Sequence, residues 1–419
     1  MRNSILTTLL ASTALFSSCD NNENNTPETL PVTSFTVTIE NAFTPKEFYT
    51  TGNTGLIKPG ESESFSFNAG TGHYLNFATM FVQSNDLFYG PDDSGIALYD
   101  ADGNAITGDL TSELYLWDAG TEMNEEPGIG VNQPPRQSDA NTGITENGTV
   151  KLISQVNDGF TYPALQDVIQ VEIAHNGGTQ FTVTINNISN NASLATPFAP
   201  GNWVVHSADQ YPIFKRNEAS SIGLEGLAED GATATLTASL EENSGLVSPF
   251  APGAYNVGTE NLVFNLNGTA SSALEALAED GDPSGFENHF TTPDQGSAPA
   301  PIFPSQTYSF TFDATDGQYL SLATMLVQSN DWFIGGDAIN LFPNGQALNG
   351  DITSQLLLFD GGTEEDEYAG AGTNQAPRQS GPNTGTTETG SVIEETSPSS
   401  NVPNIENMIR ISITSNASE

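Results

Sequence analysis

The sequence predicts an all-β protein built from two tandem antiparallel β-sandwiches, with short helices in the second. Three observations predict it. Apolar residues alternate with Thr and Ser, as in Phe35-Thr36-Val37-Thr38-Ile39, Phe181-Thr182-Val183-Thr184-Ile185 and Tyr308-Ser309-Phe310-Thr311-Phe312. A period of two gives a strand one buried and one solvated face. The 40 Gly and 24 Pro in 419 residues supply frequent turns between short strands. A long-range repeat divides the chain into two similar halves.

The elements follow in chain order. Arg2 precedes an apolar run from Ile5 to Phe16, then Ser17, Ser18 and Cys19, the single cysteine of the chain. That run is too short to span a bilayer stably and reads as a signal segment. Residues 1–18 are thus expected to be a lipoprotein signal peptide, with Cys19 as the lipidated residue and 19–32 as a polar tether. The expected location is a bacterial cell envelope, lipid-anchored at the outer membrane, the cell surface or facing the periplasm. The first domain is drawn at 33–176 and the second at 178–419.

The repeat joins the two domains motif by motif. Ala78-Thr79-Met80-Phe81-Val82-Gln83-Ser84-Asn85-Asp86 returns as Ala323-Thr324-Met325-Leu326-Val327-Gln328-Ser329-Asn330-Asp331. Trp117-Asp118-Ala119-Gly120-Thr121-Glu122 returns as Phe359-Asp360-Gly361-Gly362-Thr363-Glu364, and Asn132 to Gln137 returns as Asn374 to Gln379. A smaller duplication, about 196–283, lies within the second domain. It repeats Pro-Phe-Ala-Pro-Gly at 197–201 and 249–253, and a helix-like segment closed by Gly231 and by Gly281. The first domain, as drawn, lacks this block. Asp100, Asp102 and Gly103 read as a hairpin turn.

Nine Lys and Arg against 52 Asp and Glu give a formal charge of −43. Such a surface displaces no phosphate counterions, which excludes nucleic acid, and it has no affinity for anionic headgroups. Membrane contact is therefore expected only through the lipid anchor. The acidity suits solution at high ionic strength.

Asp86, Asp118 and Glu122, and their counterparts Asp331, Asp360 and Glu364, sit in Gly-rich loops at strand ends. Three carboxylates converging on one loop end repel each other unless a cation neutralises them. All-oxygen ligands without His or Cys favour Ca²⁺. The following acids, Glu125 and Glu126, then Glu365, Asp366 and Glu367, read as solvated surface. Arg136 and Arg378 match in the repeat and are expected to clamp the acidic loops through bidentate pairing.

Ser329 to Gly335 and Phe359 to Glu364, with Ser84 to Phe88 and Trp117 to Glu122, resemble the spondin N-terminal domain family in its bacterial branch. The resemblance covers both domains. It implies an antiparallel β-sandwich similar to calcium-dependent lipid-binding domains. It also implies one Ca²⁺ per domain, held by Asp86, Asp118 and Glu122 and by Asp331, Asp360 and Glu364. Animal members act in extracellular matrix and cell guidance; their disulfides have no counterpart here.

No His belongs to a repeated nucleophile system, and the paired carboxylates share one short turn, so a binding protein is expected and not an enzyme. The primary expectation is a surface-anchored Ca²⁺-binding protein for adhesion or matrix contact, with a glycan or protein ligand. The alternatives are a polysaccharide-binding module that uses Trp332, Phe333, Phe88 and Tyr89 as a stacking platform, and a purely structural envelope lipoprotein.

Overall fold

The computed structural model describes residues 30–416. The signal peptide and Cys19 lie outside the described residues, as does most of the tether. Four sheets form two sandwiches, and every pairing between named strands is antiparallel.

In the first sandwich, one sheet runs Ser62–Asn68, Gln180–Asn187, Ile169–His175, Gly108–Asp109. The facing sheet runs Phe48–Thr54, Gly201–Ser207, His73–Met80, Leu87–Gly90, Tyr115–Asp118, Lys151–Leu152, with Ile96–Ala97 attached to His73–Met80. In the second, one sheet runs Thr307–Ala314, Thr33–Asn41, Ile409–Asn416, Gly350–Asp351. Its partner runs His289–Phe290, Phe250–Gly258, Tyr319–Leu326, Trp332–Asn340, Leu356–Asp360, Ile393–Glu394.

This path corrects the boundary between 176 and 178. The two Phe-Thr-Val-Thr-Ile strands are exchanged. Phe35, Val37 and Ile39 are fully buried in the core of the second sandwich, beside Ile411 and Ile413. Phe181, Val183 and Ile185 fill the core of the first. The cause is connectivity. Both strands present the same apolar face, so either fits either slot. Asn176-Gly177-Gly178-Thr179 folds Gln180–Asn187 straight back onto Ile169–His175, with Asn176 N–H donating to Gln180 O at 2.8 Å. A four-residue hairpin costs far less closure entropy than return of the distant N-terminal strand.

The duplicated block is shared out in the same way. Gly201–Ser207 joins the first sandwich, with helices α1 (Ile222–Asp230) and α2 (Ala234–Asn243). Leu224, Leu227, Ala228, Leu236 and Leu240 pack on Phe88 and Trp117. Phe250–Gly258 and helix α3 (Ser272–Asp280) serve the second, where Leu274 and Leu277 pack on Phe333 and Phe359. The first sandwich is therefore complete, and helices cover both. Ser221 and Ser271 cap α1 and α3 through Leu224 N–H and Leu274 N–H, each at 3.2 Å. Gly231 and Gly281 end them in the left-handed region, at φ 65° and 67°, as expected.

Removing residues 33–41 should expose the second sandwich alone. By hydrogen exchange, 307–314 and 409–416 should lose protection, while 62–68 and 169–187 keep it. Equal loss in both sandwiches would contradict the strand exchange.

Candidate metal centre

Each repeated loop end is tied by one aspartate. After His73–Met80 the chain turns, with Ser84 Oγ donating to Phe81 O and accepting Leu87 N–H at 3.2 Å. This turn buries Asp86. One Asp86 oxygen accepts Thr121 N–H, Thr121 Oγ1–H and Glu122 N–H at 2.7, 3.2 and 3.1 Å. Asp331 accepts the equivalent three from Thr363 and Glu364 at 2.7, 3.0 and 3.1 Å. The other oxygen, Oδ1, of both aspartates is buried without a protein partner.

Asp118 and Asp360 accept Gly120 N–H and Gly362 N–H, each at 2.6 Å. Glu122 and Glu364 turn elsewhere. Glu122 accepts Gly143 N–H at 2.6 Å and Asn85 Nδ2–H at 3.3 Å. Glu364 accepts Gly385 N–H at 2.9 Å and Asn330 Nδ2–H at 3.4 Å. These glutamates fasten the neighbouring loop, so the predicted triads do not close around one point. Among the described residues, one group of three acidic side chains brings ligand atoms within 4.8 Å of one another: Asp360, Asp366 and Glu395. This cluster could hold a metal. Asp331 lies close enough to raise the proton affinity of both Asp360 and Asp366.

Three of the following acids read as solvated surface have a further role, although Asp366 is itself exposed. Asp366 is a cluster member. Glu367 brackets its loop by accepting Asn374 N–H at 2.8 Å, as Glu125 accepts Asn132 N–H at 2.9 Å. The signal for Asp366 was present, since Asp follows Asp360 by six residues where the first copy has Asn124. Glu395 is placed by strand pairing, which sets Ile393 opposite Asp360.

Electrostatics separate the two copies. Burial first, then Asp331, pushes Asp360 up to about 6. Burial first, then Asp360, Asp331, Glu395 and Glu388, pushes Asp366 up to about 8. In the first copy Asn124 Nδ2–H donates to Asp118 at 2.8 Å, and Lys151 pairs in register with Asp118 and favours its charge. Residues 151 and 153 are Lys and Ile; their counterparts 393 and 395 are Ile and Glu. Burial first, then Asp118, still pushes Asp86 up to about 7, so the copies differ in the number of carboxylates gathered: the second adds Asp366 and Glu395 where the first has Asn124 and Ile153.

The helices complete both loop ends, a role the sequence reading missed. Asp230 accepts Gln137 Nε2–H at 2.9 Å, and Asp280 accepts Gln379 Nε2–H at 3.0 Å. Glu229 and Glu279 are buried, and each leaves Oε2 without a protein partner. Burial, then neighbouring carboxylates, pushes each to about 7.

Two further expectations are corrected. Arg136 and Arg378 clamp loops through neutral oxygens, not carboxylates. Arg136 donates to Gly130 O and Gln133 Oε1, and Arg378 to Gly370 O and Gln328 Oε1. Trp332, Phe333, Phe88 and Tyr89 are at most 3% exposed, so they are core and offer no stacking platform. Their strands have both faces covered, one by the facing sheet and the other by helices.

Residues 254–404 match the Spondin_N family. The second sandwich carries a Spondin_N domain. The matched segment holds α3, the acidic cluster and Arg378, and omits the strands Thr33–Asn41 and Ile409–Asn416. A Spondin_N domain points to an extracellular or cell-surface setting. No curated protein matches the chain. No helix among the described residues is long and apolar enough to cross a membrane.

The raised carboxyl groups fix a sign for pH. Glu229 and Glu279 bind protons more tightly folded than unfolded, so their contribution is fully present below the unfolded carboxylate range and is lost as pH rises through about 7. In chelator, the melting temperature should fall from pH 5 to pH 8, by about a few degrees. Glu229→Gln with Glu279→Gln should lessen that fall, the rest coming from Asp86, Asp360 and Asp366. A melting temperature that climbs steadily over this range would contradict the assignment.

Proposed function

We propose that the chain is an extracytoplasmic Ca²⁺-binding adhesion or matrix-binding protein, tethered by a lipid on Cys19, with its metal in the Spondin_N domain. One observation carries the metal reading: Asp331 Oδ1 is buried without a partner beside the Asp360, Asp366 and Glu395 cluster. A buried carboxylate oxygen with no donor is costly. A divalent cation would pair it and relieve the mutual repulsion of its neighbours. Oxygen-only donors suit Ca²⁺ better than a transition metal.

The reading reduces the expected two ions to one. Asp86 Oδ1 is bare as well, but Asn124, Lys151 and Ile153 stand where the second site has Asp366, Ile393 and Glu395, so the first loop end lacks the carboxylate cluster that would complete a cation's shell. Binding without catalysis fits the histidines. His73 packs against the Tyr49 ring in a tilted arrangement, centroids 4.6 Å apart, and His206 is buried with Nδ1 against Ser207 O. His175 and His289 hydrogen-bond to carbonyls of their own turns.

Calorimetric titration with Ca²⁺ should show one saturable site per chain. Asp331→Asn and Asp366→Asn should each abolish it, and Asp118→Asn should leave it unchanged. At 100 times Kd, Ca²⁺ should add about 2.7 kcal/mol of stability. Two equal sites, or none at millimolar Ca²⁺, would overturn the reading.

A further inference from the structure

The two sandwiches meet along a seam that the exchanged strands create. Tyr49 Oη–H donates across it to Ala369 O at 2.7 Å, and Asn401 Nδ2–H reaches the same carbonyl at 2.8 Å. Two cavities open side by side there, with Tyr49 and Gly245 lining both. The smaller, about 150 Å³, is lined by Lys46, His73, Gln328 and Arg378 among others. The larger, about 310 Å³, is walled by Tyr49, Tyr368, Glu241, Ser244 and Asn401 among others.

The smaller cavity gathers two of the nine basic residues of a chain with 52 acids, against the single carboxylate of Glu47 in its lining. Neither is paired with a carboxylate: the three ion pairs among the described residues use Lys215, Arg216 and Arg410. Lys46 Nζ–H donates to Glu242 O, and Arg378 to Gln328 Oε1 and Gly370 O. Their hydrogen bonds all go to neutral oxygens, and Glu367 lies close enough to act on Arg378 without pairing with it, which leaves donor capacity on both for an anion. His73 adds no charge, because burial pushes it down to about 3. Among the residues that wall the larger cavity, Ser244 Oγ and Asn401 Oδ1 lack protein partners. Tyrosine rings, an amide, hydroxyls and a carboxylate together suit the apolar face and hydroxyl rim of a sugar.

We propose that this seam binds an acidic saccharide, its carboxylate held by Lys46 and Arg378 and its ring lodged between Tyr49 and Tyr368. The site stands apart from the metal loops and needs no cation.

The test is calorimetry on the full chain in EDTA, with tri-galacturonate, neutral galactotriose and acetate as probes. Tri-galacturonate should bind saturably and the neutral sugar should not. Acetate should bind at least about tenfold more weakly, since it lacks the ring. Lys46→Ala should weaken tri-galacturonate about tenfold, and Arg378→Gln should abolish binding. Ser244→Leu, which fills the crevice away from the loop clamp, carries the same test if Arg378→Gln fails to fold by circular dichroism. Three outcomes would overturn the proposal: no binding at about 10 mM, equal binding of galactotriose, or binding that appears only when Ca²⁺ is restored. The last would place the carboxylate at the metal loops. Acetate binding as tightly as the saccharide would reduce the site to a carboxylate pocket and overturn the sugar assignment.

Discussion

The aspartate at the end of each Ser-Asn-Asp turn is the interaction on which both loop ends depend. One oxygen of Asp331 gathers two backbone N–H groups and a hydroxyl from Thr363 and Glu364. That single acceptor binds the end of Tyr319–Leu326 to the end of Leu356–Asp360. It fixes the turn that positions Asp360 and orders the stretch leading to Asp366. The donors all fall on one oxygen, so the other is left bare in a buried place. A fully ionised carboxylate there costs several kcal/mol unless something positive meets it. The fold thus builds an unsatisfied charge into a rigid position, and the neighbouring acids multiply the demand.

The same knot with Asp86 leaves its Oδ1 equally bare, but the acids around it are fewer. Asn124 donates to Asp118, and Lys151 stands opposite it in the ladder. Two copies of one loop architecture therefore differ in net charge at their centres while sharing the backbone that frames them. The chain holds most of its structural carboxylates with N–H groups, amides and hydroxyls. With nine basic residues against 52 acids it has few cations to spend on ion pairs.

Much of this was legible in the sequence. Alternation located the core faces of Phe35, Val37 and Ile39 and of Phe181, Val183 and Ile185, because burial on one side of a strand leaves a period-two trace. The repeat located the loop aspartates and the helix caps. The strand exchange was not legible from periodicity, since identical faces fit either slot; Asn176-Gly177-Gly178-Thr179 was the hairpin signal that a domain boundary overrode. Glu122 and Glu364 have the right charge and spacing for ligands, but direction decides, and theirs is taken by Gly143 and Gly385 N–H. Phe333 and Phe88 read as exposed because the helices that cover them come from a distant block. Arg136 and Arg378 were expected to pair with carboxylates, but their partners are carbonyl and amide oxygens, which charge reasoning does not single out.

The path of the chain links these features. The strand Thr33–Asn41 crosses into the second sandwich, and the chain returns through Lys46 and Tyr49 along the seam, so the halves are joined by more than one linker. The central claim is that one metal sits on Asp331 and none on Asp86. Anomalous scattering from crystals soaked in a lanthanide stand-in for Ca²⁺ tests it most directly. The account predicts one peak at about 2.3–2.6 Å from Asp331 Oδ1 and from oxygens of Asp360, Asp366 or Glu395. A peak of equal height on Asp86, or density centred on Glu364 in place of Asp366, would contradict it.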